Sequence, residues 1–386
     1  MSEAVVPFHL HVSESQLIDL RSRLHNTRWP EKETVSDTRQ GPPLAKLQAL
    51  CAHWASGYDW RRCEMLLNRL GQFRTTIDGL GIHFLHIRSP EPDALPLLMT
   101  HGWPGSVLEF RHVIDRLTNP VAHGGQAGDA FHLVIPSLPG FGFSDKPADA
   151  GWGVGRIASA WITLMTRLGY ERWGAQGGDW GSIVTEAISR MAPPDCVGVH
   201  FNFALVFPTP EEMDEATPQE QAMLNSAMHY QNELSGYAKE MSTRPQTIGY
   251  SLSDSPVGLA AWIYAMFQDV SDSGGDPEAL FGMDAMLDDI MLYWLPNTSA
   301  SSARLYWEAS QPGGSPMSAH GVNQMPAAFS IFPKEVMRAS RRWLDKRYAN
   351  IVHFNELERG GHFAALEQPA MFAQELRASF RSLRES

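Results

Sequence analysis

The chain has 386 residues, 43% hydrophobic and 19% charged, a globular balance with room for a large core and an accessory domain. Its formal net charge is −12, a field that repels phosphate backbones and anionic lipid heads, so nucleic acid and membrane surfaces are excluded as partners. Cys51, Cys63 and Cys196 are too few and wrongly spaced for a disulfide framework or a zinc site. No apolar run reaches the roughly 18–20 residues of a membrane span, and the opening MSEAVVPFHLHVSESQ lacks the basic and apolar regions of a signal peptide. A soluble, cytoplasmic protein with no metal is expected.

The first predicted element is a helix. SESQ, Ser13 to Gln16, fits a capping box; Leu17, Leu20 and Leu24 then share one face, and Pro30 closes the segment. A second helix is predicted from Leu44 to Trp54, with Leu44, Leu47, Cys51 and Trp54 in phase. At Phe73 the period changes. FRTTI and IHFLHI are short β-rich runs joined by DGLG, a hairpin signal. LPLLMTHG reads as a buried strand ending in a turn. A helix (Val107, Phe110, Ile114, Leu117) and the strand FHLVIPS follow. Next comes a long helix with Val154, Ile157, Trp161, Leu164 and Leu168 on one face. The strand RWGAQG then feeds the segment AQGGDWGSIVTE, residues 175–186. Beyond it Ile183, Val184, Ala187, Ile188 and Met191 line one face of a helix.

From about Ala204 to Gln324 helical segments dominate: EEMDEA, QAMLNSAMHYQNEL, PVGLAAWIYAMF and DAMLDDIMLYW. Strands resume at AAFSIF and NIVHFNEL, and a last helix carries Phe372, Leu376, Phe380 and Leu383. Strands alternating with helices predict a mostly parallel sheet covered on both faces, with ligands at the carboxyl ends of its strands. The predicted division is an N-terminal helical extension (1–72), a first part of the α/β core (73–203), an inserted helical lid (204–324) and a second part of the core (325–386).

Asp179 sits between strand and helix, flanked by Gly177, Gly178 and Gly181. An Asp at a helix start also reads as a simple cap. Its setting, however, matches the sharp turn that exposes a nucleophile in many hydrolases, where a serine usually stands. Those enzymes run nucleophile, acid, histidine, and ERGGHFAAL supplies His362 on the loop after the last strand. A carboxylate there has a chemical meaning. Serine attacking a saturated carbon would leave a dead-end ether, whereas a carboxylate leaves an ester that activated water can cleave. Epoxides or alkyl halides are the substrates predicted. The oxyanion would be held by the backbone N–H of Trp180 and of Trp103, in THGWPGS. PSLPGFGFSDKP, Pro136 to Pro147, lacks phosphate-loop spacing and is read as a structural loop over the site. The acidic run PEEMDEATPQEQ, Pro210 to Gln221, is read as a solvated face.

With HGWPGS, LPGFGFS, GGDWGS, SDSPVGLAAWI and GGHFAALEQP, and with NTRWP and YDWR in the extension, the sequence resembles the microsomal-type epoxide hydrolase family of the α/β-hydrolase fold over essentially its whole length. The membrane anchor of the animal members is missing, so a soluble, bacterial-style member is expected. The resemblance implies Asp179 as nucleophile and His362 as water-activating base. It implies Glu335, in IFPKEVM, as the acid that orients the histidine, with Asp345 the second candidate. It also implies two lid tyrosines as proton donors: Tyr237 in LSGYAKE and Tyr306 in ARLYWEA, with Tyr230, Tyr250, Tyr264 and Tyr293 nearby in sequence. The activity implied is cofactor-free hydrolysis of a small apolar epoxide by water to a vicinal diol. A haloalkane dehalogenase, or a silent ligand-binding scaffold of the same fold, are the alternatives. A homodimer is left open.

Overall fold

The structure, a computed structural model, describes residues 3–314 and 321–384; residues 315–320 of the predicted lid lie outside them. A nine-stranded sheet runs through the protein. Its strands are β1 (Val6–Pro7), β2 (Gln72–Ile77), β3 (Leu80–Ile87), β4 (Leu95–Thr100), β5 (Phe131–Pro136), β6 (Trp173–Gly177), β7 (Cys196–Phe201), β8 (Ala327–Ile331) and β9 (Ile351–Glu356). The spatial order is β1-β2-β3-β5-β4-β6-β7-β8-β9. From β5 to β9 every pairing is parallel, and β1 to β3 form an antiparallel edge. This is the predicted α/β-hydrolase architecture. The chain leaves β4 to one side for β5 and returns on the other for β6, so the sheet has its crevice at the ends of β4 and β6. Their register pairs Thr100 with Gly177, which sets the turns that follow side by side.

The central strands are apolar on both faces because helices cover both. Val154, Ile157, Trp161 and Leu164 of helix Val154–Arg167 are buried as the 3.6-residue period requires. So are Phe372, Leu376 and Phe380 of helix Pro369–Arg381. The Ser13 capping box is formed. That first helix ends at His25, where Asn26 caps it, short of Pro30.

Several local expectations are corrected. The segment after β4 is not one helix. It is a 3-10 turn (Val107–Phe110) and a short helix (Ile114–Thr118), because Arg111 and Val113 close tight bonds to Leu108 and Phe110. In helix Leu44–Ser56, Leu50 rather than Leu44 completes the buried face. In helix Trp180–Met191, Met191 is 44% exposed at the last turn and Ile183 is half-buried at the cavity described below. Strand β7 gives no clear sequence signal because Gly198 and His200 interrupt its apolar run. His200 is nonetheless buried, its Nε2 2.9 Å from Ser330 Oγ on β8, and that hydroxyl donates to Glu375 at 2.8 Å. The helix Trp60–Arg69 is also absent from the predicted elements. Between β7 and β8 the chain is helical from Pro210–Asp214 to Ser299–Ser310.

Candidate active site

Asp179 occupies a backbone conformation that L-residues avoid, φ 48° and ψ −128°, at the end of β6. Such a residue costs about 1–3 kcal/mol and persists only where its surroundings enforce it. Here they do. A Cβ on Gly177 would stand 2.0 Å from Gly181 O, and one on Gly181 would stand 1.8 Å from Thr100 O. The strand and helix can approach this closely only through glycine. The helix-cap reading fails, since the Asp179 side chain caps nothing. Instead Oδ1 accepts the backbone N–H of Trp103 at 2.7 Å, across the crevice from the turn after β4. Trp180 opens the following helix, so its N–H belongs to the first turn, which has no intrahelical acceptor.

His362 stands on the loop after β9 with Nε2 3.3 Å from Asp179 Oδ2. Its Nδ1 lies 2.9 and 3.0 Å from the two oxygens of Glu335. Glu335 follows β8, is 2% exposed, and is held by the N–H of Val336 on Oε1. Asp345 is elsewhere, in an exposed pair with Arg341. Burial by itself would disfavour charge on His362. The charge of Glu335 and the hydrogen bond and charge of Asp179 outweigh it and raise its pKa well above the usual histidine range.

The histidine loop is tied to the helical insertion through backbone groups. His362 N–H donates to Val270 O at 3.0 Å, and Gly360 N–H to Asp272 Oδ2 at 2.9 Å. Glu367 gathers three amides: Phe363 on Oε1 at 2.9 Å, and Gly361 and Asp272 on Oε2 at 2.8 and 2.9 Å. Nothing local in GGHFAALEQP assigns Glu367 this role. Its only sequence signal is its place five residues after His362.

These groups face a cavity of about 200 Å³ walled mostly by apolar and aromatic side chains, among them Phe203, Met266, Val270 and Met337. Trp103, Asp179, Trp180, His362, Tyr237 and Tyr306 all line it. The Tyr237 ring stacks on Trp103 at 4.9 Å between centroids, and Tyr306 meets the Trp180 ring edge-on at 4.7 Å. Burial raises the pKa of both phenols well above the usual value. For Tyr237 the neighbouring tyrosines add most to this, for Tyr306 the charge of Asp179, so both stay protonated at neutral pH. Of the other tyrosines, Tyr230 also lines the cavity. Tyr293 donates to Gly105 O at 2.7 Å, Tyr250 is 71% exposed, and Tyr264 is buried beside Glu278. The glycine-rich loop 136–147 contributes no lining residue. It is structural, but it packs beside the site, where Ser301 donates to Gly140 O at 2.6 Å. The acidic run is only partly solvated, because Glu212 and Glu220 are buried. Among the described residues no cluster of three or more His, Cys, Asp or Glu side chains could hold a metal ion, and no helix is long and apolar enough to cross a membrane.

Comparison with known proteins gives two family matches, an epoxide hydrolase N terminus over residues 5–110 and the alpha/beta hydrolase fold over residues 96–244. The chain is 55% identical to a "Putative epoxide hydrolase" of Stigmatella aurantiaca (strain DW4/3-1), over 98% of this chain and 86% of that protein. It is 34% identical to "Epoxide hydrolase 1" of Sus scrofa, over 97% of this chain and 88% of that protein. Among solved structures, the Aspergillus niger epoxide hydrolase superposes with a TM-score of 0.88 at 32% identity, covering 99% of this chain and 97% of that one.

Proposed function

We propose, from the premise that this chain belongs to the microsomal-type epoxide hydrolase family, that it opens a small apolar epoxide to a vicinal diol through an ester on Asp179. The observation that carries this reading is a carboxylate in an apolar cavity with one oxygen tied to a backbone amide and the other paired only with the histidine that would serve as base. Oδ1 is engaged by the Trp103 amide, whereas Oδ2 faces the cavity beside His362.

Ring opening follows from that arrangement. Oδ2 attacks one epoxide carbon in line as the C–O bond breaks, and Tyr237 and Tyr306 bind and protonate the oxygen that develops charge. General acid help of this kind is worth about 10²–10⁴-fold. The ester formed on Asp179 removes a negative charge next to His362, so the imidazolium releases its proton to solvent, and it takes one back from solvent when the Asp179 carboxylate is restored. His362, oriented by Glu335, then takes a proton from water as that water attacks Cγ. The oxyanion develops on Oδ1, where the amides of Trp103 and Trp180 hold it. Collapse expels the diol oxygen, which takes the proton back from His362, and the Asp179 carboxyl retains the water's oxygen. The proton on that carboxyl returns to the tyrosinate through water. The helices between β7 and β8 act as a lid in this reading, since they supply Tyr237 and Tyr306. On this reading the chain divides into an extension (1–72), a first core part (73–203), the lid (204–324) and a second core part (325–386).

The test is a single turnover in ¹⁸O-water. The first diol should carry no label and the Asp179 carboxyl should carry it. Label in the first diol would mean direct attack by water and would sink the ester mechanism.

A further inference from the structure

The cavity contains a third tyrosine, and its hydroxyl is already engaged. Tyr230 Oη lies 2.8 Å from Tyr237 Oη, a hydrogen-bond distance for two hydroxyls. Resting on the reading above, we propose that Tyr230 is a positioning residue for ring opening: it holds the Tyr237 hydroxyl on the epoxide oxygen and hands it a proton as Tyr237 gives up its own.

Three observations support the assignment. The first is backbone. Tyr230 opens a five-residue π-helix, Tyr230–Leu234, between helices Pro218–His229 and Gly236–Thr243. Such a wide turn is rare and concentrates at functional sites. Here it lets residues seven apart in sequence bring their hydroxyls together. The second is place. Tyr237 is stacked on Trp103, and Tyr230 lines the same cavity, half-buried, next to exposed Gln231. Tyr230 therefore has access to solvent for the return of its proton. The third is charge. Burial raises both phenols, so both stay protonated at neutral pH and either can donate across the contact.

The protons balance. The Tyr237 O–H bond breaks as the alkoxide O–H forms. The Tyr230 O–H bond breaks as the Tyr237 O–H re-forms, leaving the charge on Tyr230. When the ester is later hydrolysed, the proton left on the Asp179 carboxyl reaches the Tyr230 phenolate through water, and the site is reset.

The experiment compares the parent with Tyr230→Phe, using styrene oxide, rapid quench and mass spectrometry to measure ester formation and ester hydrolysis separately in mixtures of H₂O and D₂O. Tyr250→Phe, at the surface, serves as control. A hydrogen bond to a developing charge is worth about a 10–100-fold rate effect. Ester formation should slow by that factor in Tyr230→Phe, with hydrolysis unchanged. The proton inventory of ester formation should curve in the parent and become linear in the variant. Equal ester formation in variant and parent overturns the relay alone. Equal slowing of both steps with an unchanged inventory also overturns it, by showing that Tyr230 only shapes the cavity. If the parent makes diol without ever forming an ester, the reading of Asp179 falls and the relay falls with it.

Discussion

His362 lies between two carboxylates, and its charge follows from which of them is ionised. In the resting site Glu335 and Asp179 both favour the imidazolium, against the cost of burial. On the proposed mechanism, an ester on Asp179 would leave Glu335 alone to oppose burial, so the pKa would fall at the step that requires a neutral base. The sign of the expected pH dependence follows: if hydrolysis of that ester is the step His362 serves, it should rise with pH through this lowered pKa. Asp179→Asn mimics the loss of charge, and an NMR titration of the His362 ring should show a lower pKa in that variant than in the parent. An unchanged titration would mean that Asp179 does not govern the base. Glu335→Gln should lower it too, since Glu335 is the larger of the two favourable influences. Asp179 itself illustrates how local sequence misleads. At a helix start it reads as a cap, but its φ of 48° points the carboxyl across the crevice to Trp103 rather than down its own helix.

At the scale of elements, two short helices dock on the second half of the core through their own caps. Glu212 and Glu220 are the third residues of helices Pro210–Asp214 and Pro218–His229, and each closes a capping box with Thr209 or Thr217. Each also reaches an arginine beyond β8. Glu212 meets Arg347 at 2.7 Å and Glu220 meets Arg342 at 2.8 Å. The arginine hydrogen bonds lower both carboxyls to about 2, against the cost of burial. Groups with depressed pKa stabilise the fold above their unfolded value, near 4.3, and lose that contribution as pH falls toward 2. Hydrogen exchange of residues 210–229 should therefore accelerate across that window in the parent, and less steeply in a Glu212→Gln/Glu220→Gln variant. Glu220→Ala should cost about 1.5–3 kcal/mol in urea unfolding at neutral pH, the range for a charged hydrogen bond. Arg342 keeps part of its hydration, so the full penalty of an orphaned buried charge is not expected. A midpoint and slope equal to the parent's would refute the docking role.

Across the whole molecule, Asp288 joins three distant stretches of chain. It lies on helix Met283–Trp294, wholly buried, and accepts Arg62 at 2.7 and 2.8 Å and Tyr58 at 2.8 Å from the N-terminal extension. It also accepts Arg111 at 3.0 Å from the stretch after β4. Its neighbour Asp289 accepts Ser106 of the HGWPGS turn at 2.6 Å. The extension is thus bound to the helix that backs the turn carrying Trp103. Removing one partner of a buried ionic network typically costs about 3–5 kcal/mol. Asp288→Ala should lose that much stability in denaturant titration and slow epoxide turnover, because the turn after β4 loses its support. A variant as stable as the parent would show that the extension is held by apolar packing alone.

Residues adjacent in the chain largely fixed what was legible beforehand: the strand–helix alternation, the glycine-flanked Asp179, the turn with Trp103, and the loop with His362. These depend on short-range rules, period and turn chemistry, which a linear sequence carries in full. Tertiary structure alone decided the rest. It gave Glu367 three amides to hold, buried His200 in a strand, set Asp288 among residues more than 170 positions away, and put the Tyr230 hydroxyl on that of Tyr237. Each of these pairings satisfies a buried polar group with a partner from another element or another turn, and no local pattern records which partner the fold will bring within 3 Å.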